Sequence, residues 1–503
     1  MHAFINPSAS WLKEHIQSFI RRHVPGVVFV ESVDDIPHDV DALFQYCDGW
    51  ALTENFAAAN VVKNALINSY PNSDALARKD HLAAVIEYWT AKRPKSILCK
   101  HSPLTVRLTL DYAEYVDDAL MAADDLSLLS SLEHNETREP RHRDWWILKP
   151  ALVDCGAGIR LFSTIEELAS HLELAENETD DEDDEDENGQ EGNSEGDETE
   201  VTTPKEVKLS NGGTFSPTLT TPGLESLDAL VTATVAPKNG MFKSRTKKPQ
   251  YVFKAGGRIP SAQMRAFVAQ RYLAAVPTLD GGRKWHVRAY ALAVGRLKVH
   301  VGREMLALLA AEPYVPPWEG ERPNLRASLT NTALQDADEV EALRAMRAFW
   351  DLGEGDGSDR DGSRDMFPGR PDWKTHVFYQ ICGITAELFR AAAHTMGDKF
   401  VTLDKCFELF ALDFLLDTSG NAWLLEVNEA PAFYQDAVAG PMALRLMEAV
   451  VCIAMEHMGM TRAGDPKNAS VRNRLVEVLD EGAKLGKSNI TEIMPEQVWA
   501  VGS

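Results

Sequence analysis

No stretch of the 503 residues approaches eighteen uninterrupted apolar residues, so no transmembrane helix is expected. The opening segment, MHAFINPSASWLKEHIQSFI, lacks the continuous apolar core of a secretion signal, and none is expected there. Cysteine is sparse: Cys47, Cys99, Cys155, Cys382, Cys406 and Cys452 form neither a Cys-x-x-Cys pair nor any metal-ligand spacing. In a chain of this length that usage reads as reduced thiols, with the cytoplasm as the expected address. Internal repeats are absent. So is a basic face interleaved with aromatics, which speaks against a direct nucleic-acid partner, and no Ser/His or Cys/His arrangement offers a covalent nucleophile.

What is there is an ordinary globular composition, 44% hydrophobic and 25% charged, in a chain long enough for two or three domains. The net charge of -25 is concentrated: Glu176 to Glu200 holds fifteen acidic residues and no Lys or Arg. Residues 176–250 continue rich in Ser, Thr, Pro and Gly, a composition that cannot offset ordering entropy, and they read as a disordered acidic insertion. Its role is read as a solvated spacer, with charge complementarity leaving open a decoy that occupies a basic site in cis.

The rest patterns as mixed α/β. Residues 1–73 read as a small N-terminal α/β domain, with VVFVES as a strand and NVVKNALINSY as helical. Residues 74–277 read as a central domain interrupted by the insertion, 278–460 as a C-terminal domain, and 461–503 as a helical tail.

Two hairpins carry the chemistry. In FELFALDFLLDTSGNAWLLEVNEAPAF (Phe407 to Phe433) a turn centred between Ser419 and Gly420 sets Asp413 opposite Glu426, with Asn428 on the same face. Carboxylates so placed among apolar residues need neutralising, and a hard divalent cation completed by phosphate oxygens is the natural answer. Hairpin capping or a solvated face is the plainer alternative. In RKWHVRAYALAVGRLKVHVGRE a two-residue Gly295-Arg296 turn of type II′ sets Arg288 opposite Arg303, with Lys284, His286, Arg288 and Tyr290 sharing a face. Opposed arginines are explained by a shared phosphate or carboxylate, or by a solvated basic face. Lys149 closes the strand WWILKP ahead of a loop with Gly156 and Gly158, where backbone amides can approach phosphate.

The order of ALARKDHL, WWILKP, GAGI, QRYL, RKWHVRAY, GRE…AAEPY, LTNTALQ and FELFALDFLLD…WLLEVNEAPAF, from about Asp74 to Phe433, resembles the tubulin-tyrosine ligase family of ATP-grasp amino-acid ligases. The resemblance implies an ATP-grasp fold with a small N-terminal domain, and ATP and Mg²⁺ as cofactors. It implies Lys149, Gly156, Ala157, Gly158 and Ile159 at the phosphates and Gln270, Arg271, Tyr272 and Leu273 as the hinge at adenine. Lys284 and Asp413 would also meet the nucleotide, with Lys79, Lys284, Arg288 and Arg303 as catalytic cations and Asp413, Glu426 and Asn428 as metal ligands. The implied reaction passes through an acyl phosphate to join an amino acid, tyrosine foremost, to a protein carboxylate such as the tubulin C-terminal tail or another acidic tail. No polyglutamylase-like basic docking region is evident.

Four positions depart from the family pattern. His286 replaces an acidic residue, Ala157 a basic one, Ser328 a histidine and Gly302 an aromatic. They keep open a second expectation, an ATP-binding but non-catalytic module in a cytoplasmic messenger-RNA decay complex (P-body), as fungal-type relatives suggest. A monomer without membrane contact is expected in either case.

Overall fold

The structure is a computed structural model, and it describes residues 1–47, 56–110, 115–152, 158–171, 265–320, 323–330, 345–353, 366–367, 369–462 and 464–481. The N-terminal strands are β1 (His2–Asn6), β2 (Val28–Val30), β3 (Ala42–Cys47) and β4 (Asn64–Asn68), all parallel. Helix Leu12–His23 crosses between β1 and β2, burying Leu12, Ile16, Phe19 and Ile20 at helical spacing. The run NVVKNALINSY therefore contains a strand where a helix was expected: the alternating-free apolar core ALIN is buried on both faces, and such a run does not reveal its period.

A second, four-stranded sheet comprises β5 (Thr105–Thr109), β6 (Trp146–Pro150), β7 (Arg160–Phe162) and β8 (Ala266–Arg271), in the order β5-β8-β6-β7. Then follow β9 (Thr278–Leu279), β10 (Arg283–Val294), β11 (Lys298–Gly302), β12 (Leu306–Pro313), β13 (Met346–Ala348), β14 (Cys406–Leu416), β15 (Ala422–Asn428) and β16 (Leu475–Asp480). These join β1–β4 in one sheet of twelve described strands, with β10 and β14 at its centre and β14 passing to β4. The N-terminal unit thus shares its sheet with the C-terminal domain. The expected helical tail also contains a strand, since β16 pairs with β11 and gives Val478 and Leu479 a buried place.

Helices cover both faces of the large sheet. Helix Trp373–Thr395 packs with Trp285, Val287, Ala289, Ala291 and Ala293, the odd positions of β10. Helix Ala439–His457 packs with Tyr290, Leu292 and Val294, the even ones. Lys284, His286 and Arg288 continue that even row beyond this helix's cluster, and there the four-stranded sheet faces them across a cleft. Among the described residues no helix is long and apolar enough to cross a membrane.

Candidate functional site

Register decides which of the expected residues meet. The β14–β15 connection spans five residues, 417–421, because Leu416 pairs with Ala422. Asp417 accepts from the amides of Ser419 and Asn421, and Gly420 takes φ 78°. That turn alone would set Asp413 against Leu425. A bulge makes Leu425 the extra residue, and Asp413 pairs with Glu426 after all. Asn428 follows two residues on, its Nδ2 3.4 Å from Asp413 Oδ2. The three oxygen-bearing side chains converge.

The β10–β11 connection is corrected without compensation. Val294 pairs with Lys298, so three residues, 295–297, make the turn, with Gly295 at φ 63° and Leu297 at φ 128°. The two-residue turn expected from Gly-Arg is displaced by one position, and a one-residue slip exchanges sheet faces. Arg303 therefore does not oppose Arg288. It lies past the end of β11 with its Nε donating to the Asn473 carbonyl at 2.8 Å and its guanidinium 5.9 Å over the Phe378 ring. Phe378 belongs to the core on the odd face, so Arg303 stands apart from the cleft.

Arg288 instead meets Asp413. Strands β10 and β14 are antiparallel neighbours and these two residues pair directly. Arg288 Nε and Nη2 donate to Asp413 Oδ1 and Oδ2 at 2.9 and 2.8 Å. Burial pushes the Asp413 carboxyl up, but Arg288, with His286 beside it, more than offsets this and holds it well below the usual carboxylate range. The neutralising charge expected of a cation is supplied here by a guanidinium.

The cleft holds about 730 Å³ between the two sheets. One end is apolar, with Ile147, Ile159, Tyr272, Leu329 and Leu415. Gln270 to Leu273, expected to form the hinge at adenine, line the cleft. The Tyr272 amide donates to the Trp145 carbonyl at 2.9 Å and the Arg271 amide to that of Leu104 at 2.7 Å. Charged side chains line the same cleft. Lys149, 6% exposed, donates to Gln270 Oε1 at 2.9 Å. Lys284 donates to the Leu273 carbonyl at 3.1 Å, with its ammonium 4.0 Å from the Tyr272 ring centre. Burial pulls Lys149 down to about 8, helped by Lys79 and opposed by Glu426 and Asp413. Burial, then Lys149, pulls Lys284 down to about 7. Two ammonium groups taken out of water, with no carboxylate among the described residues close enough to form an ion pair, behave in this way.

Lys79 opens helix Lys79–Ala91 and lines a smaller adjoining cavity of about 340 Å³ that shares Lys149, Gln270 and Leu425 with the cleft. Gly158 (φ 71°) and Ile159 precede β7, with Ile159 in the cleft wall; Gly156 and Ala157 lie outside the described residues. Sequence reasoning missed the wall made by Ile147, Leu415 and Leu425, and gave Ser328 and Thr330 no place in it. Their apolar or small side chains carry no chemical signature.

A family model, the tubulin-tyrosine ligase family, matches residues 58–458. The chain belongs to the tubulin-tyrosine ligase family. It is 34% identical over 390 residues to a probable tubulin–tyrosine ligase of Schizosaccharomyces pombe, covering 77% of this chain and 76% of that protein. To the probable tubulin–tyrosine ligase PBY1 of Saccharomyces cerevisiae it is 31% identical over 74% of this chain but 40% of that protein. The human tubulin polyglutamylase TTLL7 is 28% identical over 36% of this chain and 21% of its own length. Among solved structures it resembles the C-terminal domain of K. lactis Pby1, an ATP-grasp enzyme interacting with the mRNA decapping enzyme Dcp2. The TM-score is 0.57 at 23% identity, over 97% of this chain and 99% of that one. The fold is that of an ATP-grasp enzyme, whose defining feature here is a ligand-sized cleft between two sheets.

Asp413, Glu426 and Asn428 are brought together by register, with Arg288 donating to both Asp413 oxygens and Asn428 turning its Nδ2 toward Asp413; the lone pairs left on the two carboxylates and the Asn428 amide oxygen are hard donors that leave positions for water and phosphate, as Mg²⁺ requires. No group of three or more His, Cys, Asp or Glu among the described residues forms a self-sufficient cage. The residues fit a cation that arrives with its nucleotide.

Proposed function

We propose that the chain is an ATP-dependent carboxylate–amine ligase that joins an amino acid, tyrosine foremost, to a protein carboxylate in an acidic tail such as that of tubulin. The observation that carries this reading is the cleft itself, in which Lys149 and Lys284 bond to the segment Gln270 to Leu273 and Arg288, Asp413, Glu426 and Asn428 are gathered beside them.

Bound ATP would supply the γ-phosphoryl group that activates the acceptor carboxylate as an acyl phosphate. Asp413, Glu426 and Asn428 would hold Mg²⁺, which when bound offsets charge between the phosphates. Lys149 and Lys284 are oriented by Gln270 and the Leu273 carbonyl to meet anionic oxygens from opposite sheets. Arg288, fixed by Asp413, presents the remaining face of its guanidinium beside them. The contribution of these side chains is positioning and charge stabilisation, which is what phosphoryl transfer asks of a protein. The hinge, with Ile147, Ile159 and Tyr272, supports a purine ring.

A second reading, an ATP-binding interaction module in messenger-RNA decay or a ligase for a non-tubulin acceptor, is favoured by the likeness to the Pby1 proteins. The test is incorporation of labelled amino acids into tubulin and into lysate proteins, wild type against Glu426→Gln. Label that depends on Glu426 is the expected result. Nucleotide binding with Mg²⁺ and no label on any acceptor from either protein would transfer the assignment to the non-catalytic module.

A further inference from the structure

A second cavity adjoins the cleft on the side of helix Lys79–Ala91. It holds about 340 Å³ against the cleft's 730 Å³, and the two share a partition made by Lys149, Gln270 and Leu425. Gln270 spans the partition, its Oε1 accepting from Lys149 at 2.9 Å and its Nε2 donating to Thr105 Oγ1 at 3.2 Å. Leu425 stands there as the extra residue of the β15 bulge, a device that re-aims a side chain. On the far wall Lys79, Leu82, Ala83 and Ile86 present one face of the helix at helical spacing.

The two ends of this cavity differ. At one, Lys79 lies where β6 finishes, its amide donating to the Ala151 carbonyl at 3.4 Å, near enough to Lys149 to depress that ammonium. At the other, Ser102 follows His101, whose Nδ1 lies 2.7 Å from the Ala422 carbonyl at the start of β15. Ser102 Oγ has no hydrogen-bond partner. Between the ends the walls are apolar, with Leu82, Ala83, Ile86, Leu424 and Leu425. The helix covers about 10 Å from Lys79 to Ile86, at 1.5 Å per residue. Among the described residues that line the cavity there is no Asp or Glu, and Lys79 and Lys149 are its cations. A complementary ligand is anionic at the lysines, apolar in the middle and uncharged but polar at its tip. It is also small: less than half the cleft's volume is offered, bounded by the helix, β5, β6, β8 and β15, which suits a free amino acid and not a protein tail.

We propose that this cavity is the pocket for the side chain of the incoming amino acid, selecting an uncharged hydroxyphenyl group over an acidic one. This rests on the ligase reading proposed above and gives its amino acid a place. The α-carboxylate meets Lys79 and Lys149, the ring lies along Leu82, Ala83 and Leu425, and the phenol hydroxyl supplies the partner that Ser102 Oγ lacks. The amine is then at the partition, beside the cleft in which the acceptor carboxylate is activated. A glutamate side chain in the same place carries its charge into an apolar wall with no cation opposite, and an unpaired buried carboxylate is strongly disfavoured.

The test is calorimetric titration of the full chain, held with Mg²⁺ and a non-hydrolysable ATP analogue, by tyrosine, phenylalanine and glutamate. Tyrosine binds; phenylalanine binds about two- to tenfold more weakly, the scale of one hydrogen bond, and glutamate at least about a hundredfold more weakly, the scale of an unpaired buried charge. Ala83→Phe, which fills the cavity, weakens tyrosine by about tenfold or more. Ile86→Ala, at a half-buried position, weakens it by a few fold through lost apolar contact. Both leave the affinity for the ATP analogue unchanged, and circular dichroism melts confirm that they are folded. Phenylalanine or glutamate binding as tightly as tyrosine, or tyrosine binding unchanged in both variants, would overturn the proposal, and tyrosine label on an acceptor would then leave the ligase reading standing. A wild type that binds none of the three and labels no acceptor would overturn the ligase reading itself, and the pocket with it.

Discussion

Nucleotide binding at pH 8 should draw protons into the protein. Lys284 and Lys149 are buried with no anion among the described residues within bonding distance, and burial holds them down to about 7 and about 8 respectively. At pH 8 the first carries about a tenth of a charge and the second about half. A triphosphate between them restores the ordinary range, above 10 for both, so binding takes up about 1.4 protons at pH 8 and about 0.1 at pH 6. Through linkage the affinity falls about 20-fold from pH 6 to pH 8, once the ionisation of the triphosphate itself is subtracted. Calorimetry at pH 8 in two buffers of different ionisation enthalpy counts the protons directly, and there the phosphates, whose second ionisation lies near 6, contribute almost none. The sign for the free protein is opposite in effect. Between about pH 7 and the ordinary lysine value of 10.5 the unfolded chain binds more protons than the folded one, so the stability of the free protein rises with pH across that window. Proton release on binding at pH 8, or no exchange at all, would refute the picture of two desolvated ammonium groups awaiting an anion.

Two further outcomes follow from the register. Arg288→Ala strands the buried Asp413 carboxylate and should cost about 3–5 kcal/mol in chemical denaturation, with nucleotide affinity lost as well; Arg303→Ala, on the opposite face, should leave ATP affinity unchanged by titration. Gly295→Ala should destabilise by about 1–3 kcal/mol, because φ is 63° and the added Cβ would stand 2.6 Å from His457 Cε1, while ATP affinity stays that of the wild type.

Much of the cleft was legible because its residues share single strands. Lys284, His286 and Arg288 line one wall through the two-residue period of β10, which depends on no partner strand. The same holds for Glu426 and Asn428 on β15. The N-terminal strand β4 and the terminal strand β16 were not legible, since short, well-buried apolar runs carry no period. The adjacency of β10 and β14, which brings Arg288 to Asp413, joins residues more than a hundred positions apart, and local pattern holds no record of it.

Pairings across a turn stand differently again. The β14–β15 hairpin was read as centred between Ser419 and Gly420 and the β10–β11 hairpin with a two-residue turn, and each true turn is centred half a residue away, over five and three residues. In β14–β15 the bulge at Leu425 restores the position that the five-residue turn displaces, so Asp413 and Glu426 meet although the turn was misjudged. In β10–β11 no bulge intervenes, and Arg303 goes to the far face. Composition names turn-forming residues without fixing how many the turn consumes: Gly295 permits a two-residue loop, and only Leu297 in a left-handed conformation makes it three. Since one residue of error exchanges the faces of a strand, a cross-strand pair inferred from a turn is correct only when the number of displaced positions, turn and bulge together, is even. The metal-side pair satisfies that condition and the arginine pair does not, which is why Asp413, Glu426 and Arg288 meet in the cleft while Arg303 lies behind the sheet.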